Sequence, residues 1–269
     1  ISQGFTRPGP VTLRKGQLSI GDGTPDAVGQ YDMISIAPEN VGYLTGWTAK
    51  LSLATTLRGG ISTQRALDIN AVLKRRTAKR RLYADFLSSY SETEGFVSSD
   101  SVRSNLYFDL LRTRRTFIRA ASLEFFRDPV QNISRRTTVG ASYGYYIVDN
   151  RKRTWDVSIG PAWQRIIYIQ VEGDQPREEN EPALVLSSQF DLELTKKLDL
   201  TGNYSLNWAD SSAGATFHTL TKLEYELTRF LDLDISLIWD RIEDQVPNES
   251  GETISNDDYR VTVGIGLDY

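Results

Sequence analysis

The 269-residue sequence contains no cysteine. Disulfides, thiol catalysis and thiolate metal sites are excluded together. A cysteine-free chain suits an oxidising envelope compartment and a reducing one alike. Long apolar runs are also missing, which excludes a transmembrane helix, since that would need about 20 consecutive apolar residues. No excess of positive charge exists either. The 31 Lys and Arg against 35 Asp and Glu leave a formal charge of -4, so the electrostatic footprint of a nucleic-acid binder is absent. Histidine is reduced to His218 and methionine to Met33. Position 1 is an isoleucine and no signal peptide is visible, which says nothing about export. Mean hydropathy is -0.37 with 39% apolar residues, a soluble-looking average. A barrel strand needs only alternate apolar residues, so that average leaves a membrane barrel open.

What is present is alternation. Tyr259, Val261, Val263, Ile265, Leu267 and Tyr269 alternate with Arg260, Thr262, Gly264, Gly266 and Asp268. An extended strand puts these two sets on opposite faces. The pattern recurs upstream. Leu231, Leu233, Ile235, Leu237 and Trp239 oppose Asp232, Asp234, Ser236 and Asp240, and Leu223, Tyr225 and Leu227 oppose Lys222, Glu224 and Glu226. Leu198 to Trp208, Leu184 to Leu194, Trp155 to Ile169 and Val139 to Ile147 behave likewise. Less regular strands are predicted at Trp47 to Leu57, Ala66 to Lys74, Leu82 to Tyr90, Val102 to Leu111 and Phe117 to Phe126. In the last of these Arg119 falls on the apolar face, where it would have to snorkel to an interface.

Short basic turns are expected at Arg75 to Arg81, Arg112 to Arg115, Asn150 to Arg153, Lys196-Lys197 and Thr228-Arg229. Longer, often acidic loops are expected at Ser91 to Ser101, Glu172 to Glu181, Ala209 to Ala215 and Pro247 to Asp258. The fold class read from this is all-β: a transmembrane antiparallel up-and-down barrel of about 12 strands over residues 46–269. A soluble sandwich fits the alternation too. Long uniform strands, alternating loop lengths and the aromatics Trp47, Tyr90, Trp155, Tyr168, Trp208, Trp239, Tyr259 and Tyr269 near strand ends favour the barrel. The terminal strand should close it against the strand near Trp47. Residues 1–45 read as a separate periplasmic segment, either a small β-domain or plug with strands at Val11 to Leu13, Gln17 to Ile20 and Met33 to Ile36, or a flexible arm.

Thr262, Gly264, Leu267 and Tyr269 sit at the spacing polar, any, Gly, any, any, hydrophobic, any, aromatic at the end of the chain. That spacing resembles the terminal signal read by the barrel-assembly machinery, which a free strand edge could engage by β-augmentation. A broader resemblance rests on Phe125-Phe126-Arg127-Asp128-Pro129-Val130-Gln131-Asn132-Ile133, then Arg136, Gly140, Gly144-Tyr145 and Trp155 to Gly160-Pro161, and on the turn Arg75 to Thr77. These stretches are similar to the family of salt-induced outer-membrane proteins, domain of unknown function 481, over roughly residues 45 to 269. The resemblance implies an outer-membrane barrel, often preceded by a short β-rich segment. It implies no settled activity.

The inward set is rich in carboxylates: Asp68, Asp85, Asp109, Glu124, Asp156, Asp191, Glu193, Glu224, Glu226, Asp232, Asp234 and Asp240. Lining a wet channel, they would favour cations. In a filled lumen they would instead pair with Lys50, Arg136, Lys222 and Arg260. The functions open to such a chain are therefore a structural or interaction barrel of an envelope assembly, or a narrow channel or small-solute porin preferring cations. An enzyme built on His218 with Ser211 and Ser212 is the remaining alternative, and it lacks any triad spacing. The overall reading is non-enzymatic, without cofactor or metal. The acidic loop from Glu172 lacks an ordered ligand spacing. Asp128-Pro129 shapes a loop that an Arg127–Asp128 pair could latch. Expected surroundings are the bacterial outer membrane with its lipids and lipopolysaccharide, both termini periplasmic, the barrel-assembly machinery during insertion, and a periplasmic or surface protein partner.

Overall fold

A computed structural model describes residues 11–14, 17–20, 46–58, 63–77, 79–150, 152–171, 173, 175–209, 214–244 and 255–268. Strands β1 (Val11–Arg14) and β2 (Gln17–Ile20) pair antiparallel as a separate two-stranded sheet. The expected strand at Met33 to Ile36, Ser211, Ser212 and Tyr269 lie outside the described residues.

The remaining strands are β3 (Trp47–Arg58), β4 (Gln64–Arg76), β5 (Arg80–Thr93), β6 (Phe96–Leu111), β7 (Thr116–Asp128) and β8 (Ile133–Asp149). They continue with β9 (Arg153–Tyr168), β10 (Glu178–Thr195), β11 (Leu198–Ala209), β12 (Ala215–Thr228), β13 (Leu231–Ile242) and β14 (Asp257–Asp268). Each pairs antiparallel with its sequence neighbours, and β14 pairs with β3, closing a 12-stranded barrel. Closure removes sheet edges, which hydrocarbon would leave without hydrogen-bond partners.

Burial is inverted relative to a soluble sandwich. Leu53, Leu67, Val139, Ile159, Trp163, Leu186, Leu237 and Val263 are exposed on the outside, whereas Arg103, Asp109, Arg119, Glu124, Arg136, Asp156 and Asp240 are buried inside. Charged residues are almost never fully buried unless paired, and an apolar exterior of this extent requires lipid as solvent. This excludes the sandwich and makes the barrel membrane-spanning. The strands run 12 to 18 residues, longer than the 9–11 or so that a tilted strand needs to cross.

At one end the turns are short: 77–79, 112–115, 150–152, 196–197 and 229–230. The opposite end carries the long connections 169–177 and 243–256. One expectation there fails. Ser91 to Ser101 is not a loop; β5 and β6 run on to a two-residue turn at Glu94-Gly95. Both residues have positive φ, 53° and 84°, as a tight hairpin matched to strand twist demands. The serines misled because they belong to strand extensions, Ser98 exposed near the tip and Ser101 buried where it accepts from Arg260.

Arg119 is also corrected. It does not face lipid; it is 2% exposed inside the barrel. The pairing of β7 shifts register between Arg119 and Ser122, leaving both Ala120 and Ala121 exposed. A bulge inserts one residue and flips the alternation, so Phe117 and Arg119 point inward despite their odd spacing from Glu124 and Phe126. Tyr168 likewise leaves the expected girdle. It occupies an inward position of β9 and is buried with Phe126, Ile133, Ile166 and Ile242. Tyr90, Trp155, Trp208 and Tyr259 do face outward and are exposed, Trp239 is half-buried between Phe217 and Tyr259, and Trp47 carries the Arg75 guanidinium over its ring.

Candidate functional site

Among the described residues the lumen is where the alternation concentrates chemistry, and its occupants form layers. Under the long-loop end lies an apolar cluster of Phe126, Ile133, Ile166, Tyr168 and Ile242. Directly beneath, the Arg103 and Arg136 guanidinium groups stack on the Phe126 ring, 4.2 and 4.8 Å from its centroid. Burying a guanidinium is tolerable when its plane meets an aromatic face and its N–H groups meet carboxylates. Arg103 donates to Glu124 at 3.1 Å and to Asp240 at 2.7 Å, and Arg136 donates to Glu124 at 3.0 Å. Asp240 is a hub: it also accepts from Arg260 at 3.1 Å and lies 2.7 Å from His218 Nδ1. Arg103 and Asp240 are far apart in sequence, so this layer exists only because the barrel closes.

A second network lies nearer the short-turn end. Asp109 is fully buried and accepts from Arg81 at 2.8 Å and from Arg119 at 2.9 Å. Arg81 continues to Asp156 at 2.6 Å, and Arg119 to Ser187 at 3.0 Å. Arg119 lies over the Tyr107 ring at 4.1 Å. Between the two networks, Asp85 accepts from Asn105 at 2.9 Å. On the opposite wall Lys222 reaches Glu224 at 2.7 Å and Asp234 at 3.8 Å, Lys50 reaches Glu224 at 3.4 Å, and Ser52 donates to Asp234.

The expected lumen residues therefore separate into two groups. Glu224, Asp234, Asp240, Arg136, Lys222 and Arg260 are brought into buried ion pairs, and Asp232 is buried beside them. Asp191, Glu193 and Glu226 lie at the short-turn mouth. Asp191 meets Lys74 of β4 at 3.0 Å, Glu193 meets Lys152 at 2.7 Å, and Glu226 is exposed. Of the terminal set, Thr262 and Gly264 lie on the inward face of β14 and Leu267 is exposed outward. Sequence reasoning missed Arg81, Arg103 and Arg119, the cations that organise the interior. Arg103 could have been found, because it alternates in phase with Ser101, Asn105 and Tyr107.

The Arg127–Asp128 latch is not formed. Adjacent strand residues face opposite ways: Arg127 pairs with Asp100 outside, at 3.0 and 3.1 Å. Asp128 turns inward and accepts from the backbone N–H groups of Val130 and Gln131. Arg165–Glu178 at 2.9 Å and Arg241–Asp257 at 2.8 Å lie on the outer face of the same end. These outward ion pairs mark where the apolar belt stops.

No curated protein sequence matches the chain. Among solved structures it is similar to the NanC porin, at 9% identity and a TM-score of 0.45, covering 82% of this chain and 98% of that one. It is also similar to the translocator domain of the autotransporter NalP from Neisseria meningitidis, at 10% identity and a TM-score of 0.42, covering 84% and 89%. At such values no function transfers. A family model described as a protein of unknown function, DUF481, matches residues 51–269, nearly the whole of the barrel just described. The chain belongs to that family, DUF481.

Proposed function

We propose that the chain is a bacterial outer-membrane barrel serving as a structural or interaction element of an envelope assembly, with a lumen closed by its own side chains. The observation that carries this reading is the filled interior. An apolar cluster and two arginine–carboxylate networks span the space that a porin leaves to water. Closed barrels with short turns on one side and longer loops on the other belong to outer membranes, with the short turns periplasmic. The start of β3 and the end of β14 then both face the periplasm. The exposed belt contacts outer-membrane lipid and lipopolysaccharide. Thr262, Gly264, Leu267 and Tyr269 offer the terminal strand to the barrel-assembly machinery, and a periplasmic or surface protein is the remaining partner.

Planar-bilayer recording tests it. The refolded full chain should show no steady ohmic conductance in concentrated KCl. An open-pore conductance for the unaltered protein would overturn the reading. The second reading, a narrow cation-preferring channel, is favoured by the exposed Asp191 and Glu226 at the mouth. It requires measurable cation-selective current. No catalysis is assigned to His218, whose Nδ1 is held by Asp240. Lipid turnover should be unchanged in His218→Ala.

A further inference from the structure

The outer wall of the barrel is not uniform near the short-turn end. On β3, β4 and β5 the outward positions there include Ala49, Ala71 and Ala84. On β6 they include Ser104, whose hydroxyl turns back to the Asp85 carbonyl at 3.0 Å. The ladder sets these small residues against large ones: Ala49↔Leu73, Leu51↔Ala71, Ala71↔Phe86 and Ala84↔Leu106. Small beside large leaves a groove of about 560 Å³ bordered by Leu51, Leu73, Phe86 and Leu267. That is within the range of about 300–1,000 Å³ usual for a ligand pocket. On the far wall the outward positions nearest that end carry Tyr145, Trp155, Leu192, Leu200 and Tyr225.

One step toward the turn the wall changes character. Trp47 and Arg75 are direct cross-strand partners, and the guanidinium lies 5.4 Å from the centre of the indole ring. Arg75 is two residues from Leu73, about 7 Å along a strand, so the cation stands at the edge of the groove. The turn that follows adds Lys79 and Arg80, both exposed and without an ion pair among the described residues. The Lys79 carbonyl accepts from the Leu111 N–H at 2.9 Å, which brings the exposed Arg112 alongside. Residues 75–81 and 112–115 contain no Asp or Glu. Arg76 and Arg81 point the other way, to Asp149 at the mouth and to the buried Asp109 and Asp156. Arg75, Lys79 and Arg80 are left to the outer side and the turn.

A basic cluster alone would suit many anions, and an apolar groove alone would suit any lipid chain. Side by side at the edge of the apolar belt, they fit a molecule with an anionic head and an apolar tail. We propose that this wall binds one anionic diacyl phospholipid of the inner leaflet. One acyl chain lies in the groove of Ala49, Ala71 and Ala84, and the phosphate meets Arg75, Lys79 and Arg80 beside Trp47. Guanidinium groups take phosphate oxygens in bidentate fashion, and a tryptophan suits headgroup level. The choice of leaflet rests on the reading that the short turns are periplasmic. Leu51 and Leu267, which border the groove, are partners across the β14–β3 seam. The bound chain therefore covers the outer face of the barrel's closing ladder.

The test is native mass spectrometry of the full chain refolded in a non-ionic detergent, with dioleoyl phosphatidylglycerol, dioleoyl phosphatidylcholine or lipid A added. The unaltered chain should retain one phosphatidylglycerol, bound about tenfold or more tighter than phosphatidylcholine with the same chains. Lys79→Gln with Arg80→Gln, both at exposed positions, should remove most of that preference. Ala71→Phe fills the groove from the lipid side and should weaken retention of both phospholipids. Lys196→Gln with Lys197→Gln takes the same charge from the far turn and should leave retention unchanged. No retained lipid on the unaltered chain would overturn the proposal, as would equal affinity for the two phospholipids. An equal loss in the two charge variants would also overturn it, because attraction would then be spread around the whole rim. Preference for lipid A over phosphatidylglycerol would overturn both the inner-leaflet assignment and the periplasmic placement of the short turns. The closed lumen is judged separately by conductance, so either reading can fail alone.

Discussion

Two sides of this barrel are built differently. From β5 to β10 the strands reach 18 residues, and β9 pairs with β10 from Arg153↔Leu192 to Ile167↔Glu178. The interior they enclose is cross-linked by Arg81, Arg103, Arg119 and Arg136, each against a carboxylate. From β11 round to β4 the strands are mostly 12 or 13 residues long. Lys50 and Lys222 serve Glu224 there, Arg260 is the one arginine paired in the lumen among the described residues of that side, and the described residues of the seam carry four paired positions. Arginine presents a rigid planar fork that satisfies two carboxylates and an aromatic face at once, whereas lysine is a flexible point charge. The first side is held by long ladders and an arginine network together; the second has shorter strands and a short seam.

The sharpest way to break this comparison is at Asp109. Asp109→Asn removes the charge that serves both Arg81 and Arg119 and leaves two buried guanidinium groups undercompensated. Removing one partner of a buried pair costs about 3–5 kcal/mol. Urea unfolding of the protein from lipid vesicles should show a loss of that order. Adding Arg119→Gln should cost less than the sum of the two single changes, because the residues share one network. A loss below about 1 kcal/mol, the value of an exposed pair, would mean the network contributes little and the two sides are energetically alike.

The same contrast explains what was legible in the sequence. β13 and β14 alternate without interruption, so strand extent, face and closing partner follow from period two alone. The Arg119 layer was not legible, because a bulge at Ala120-Ala121 shifts the phase and two alanines carry no sign of it. Pairs such as Arg103–Asp240 and Lys74–Asp191 join distant strands across the lumen. Alternation says which side chains point inward, but the strand tilt and stagger of the closed barrel decide which of them meet. The carboxylates were therefore visible as a set, and their partners were not.

A smaller effect probes the seam. Gly264 lies where a Cβ would come within 2.6 Å of the Leu53 carbonyl oxygen and 3.0 Å of Ala54 Cβ. The neighbour is backbone, so relief requires β14 and β3 to part. Gly264→Ala should cost about 1–3 kcal/mol, the range for overpacking. Faster hydrogen exchange should accompany it among β14 amides directed at β3, and amides of β9 should be unaffected. If exchange rises equally in both places, the seam is not a separate weak line.

The mildest test sits on the strong side. Gly95, at the tip of β5–β6, has φ of 84° and nothing within 4 Å of where a Cβ would be. Gly95→Ala therefore meets no steric neighbour, and its whole cost is the left-handed backbone, about 1 kcal/mol. The hairpin projects past the apolar belt, and the buried networks begin farther down β6 at Ser101 and Arg103. Local fraying at Glu94 should follow, with little change in global unfolding. The two glycines thus separate two reasons for lacking a side chain: Gly264 for space between backbones, Gly95 for the sign of φ. A larger global loss from Gly95→Ala than from Gly264→Ala would reverse the assignment of strong and weak sides, because it would place cooperative stability in the hairpin tip and not in barrel closure.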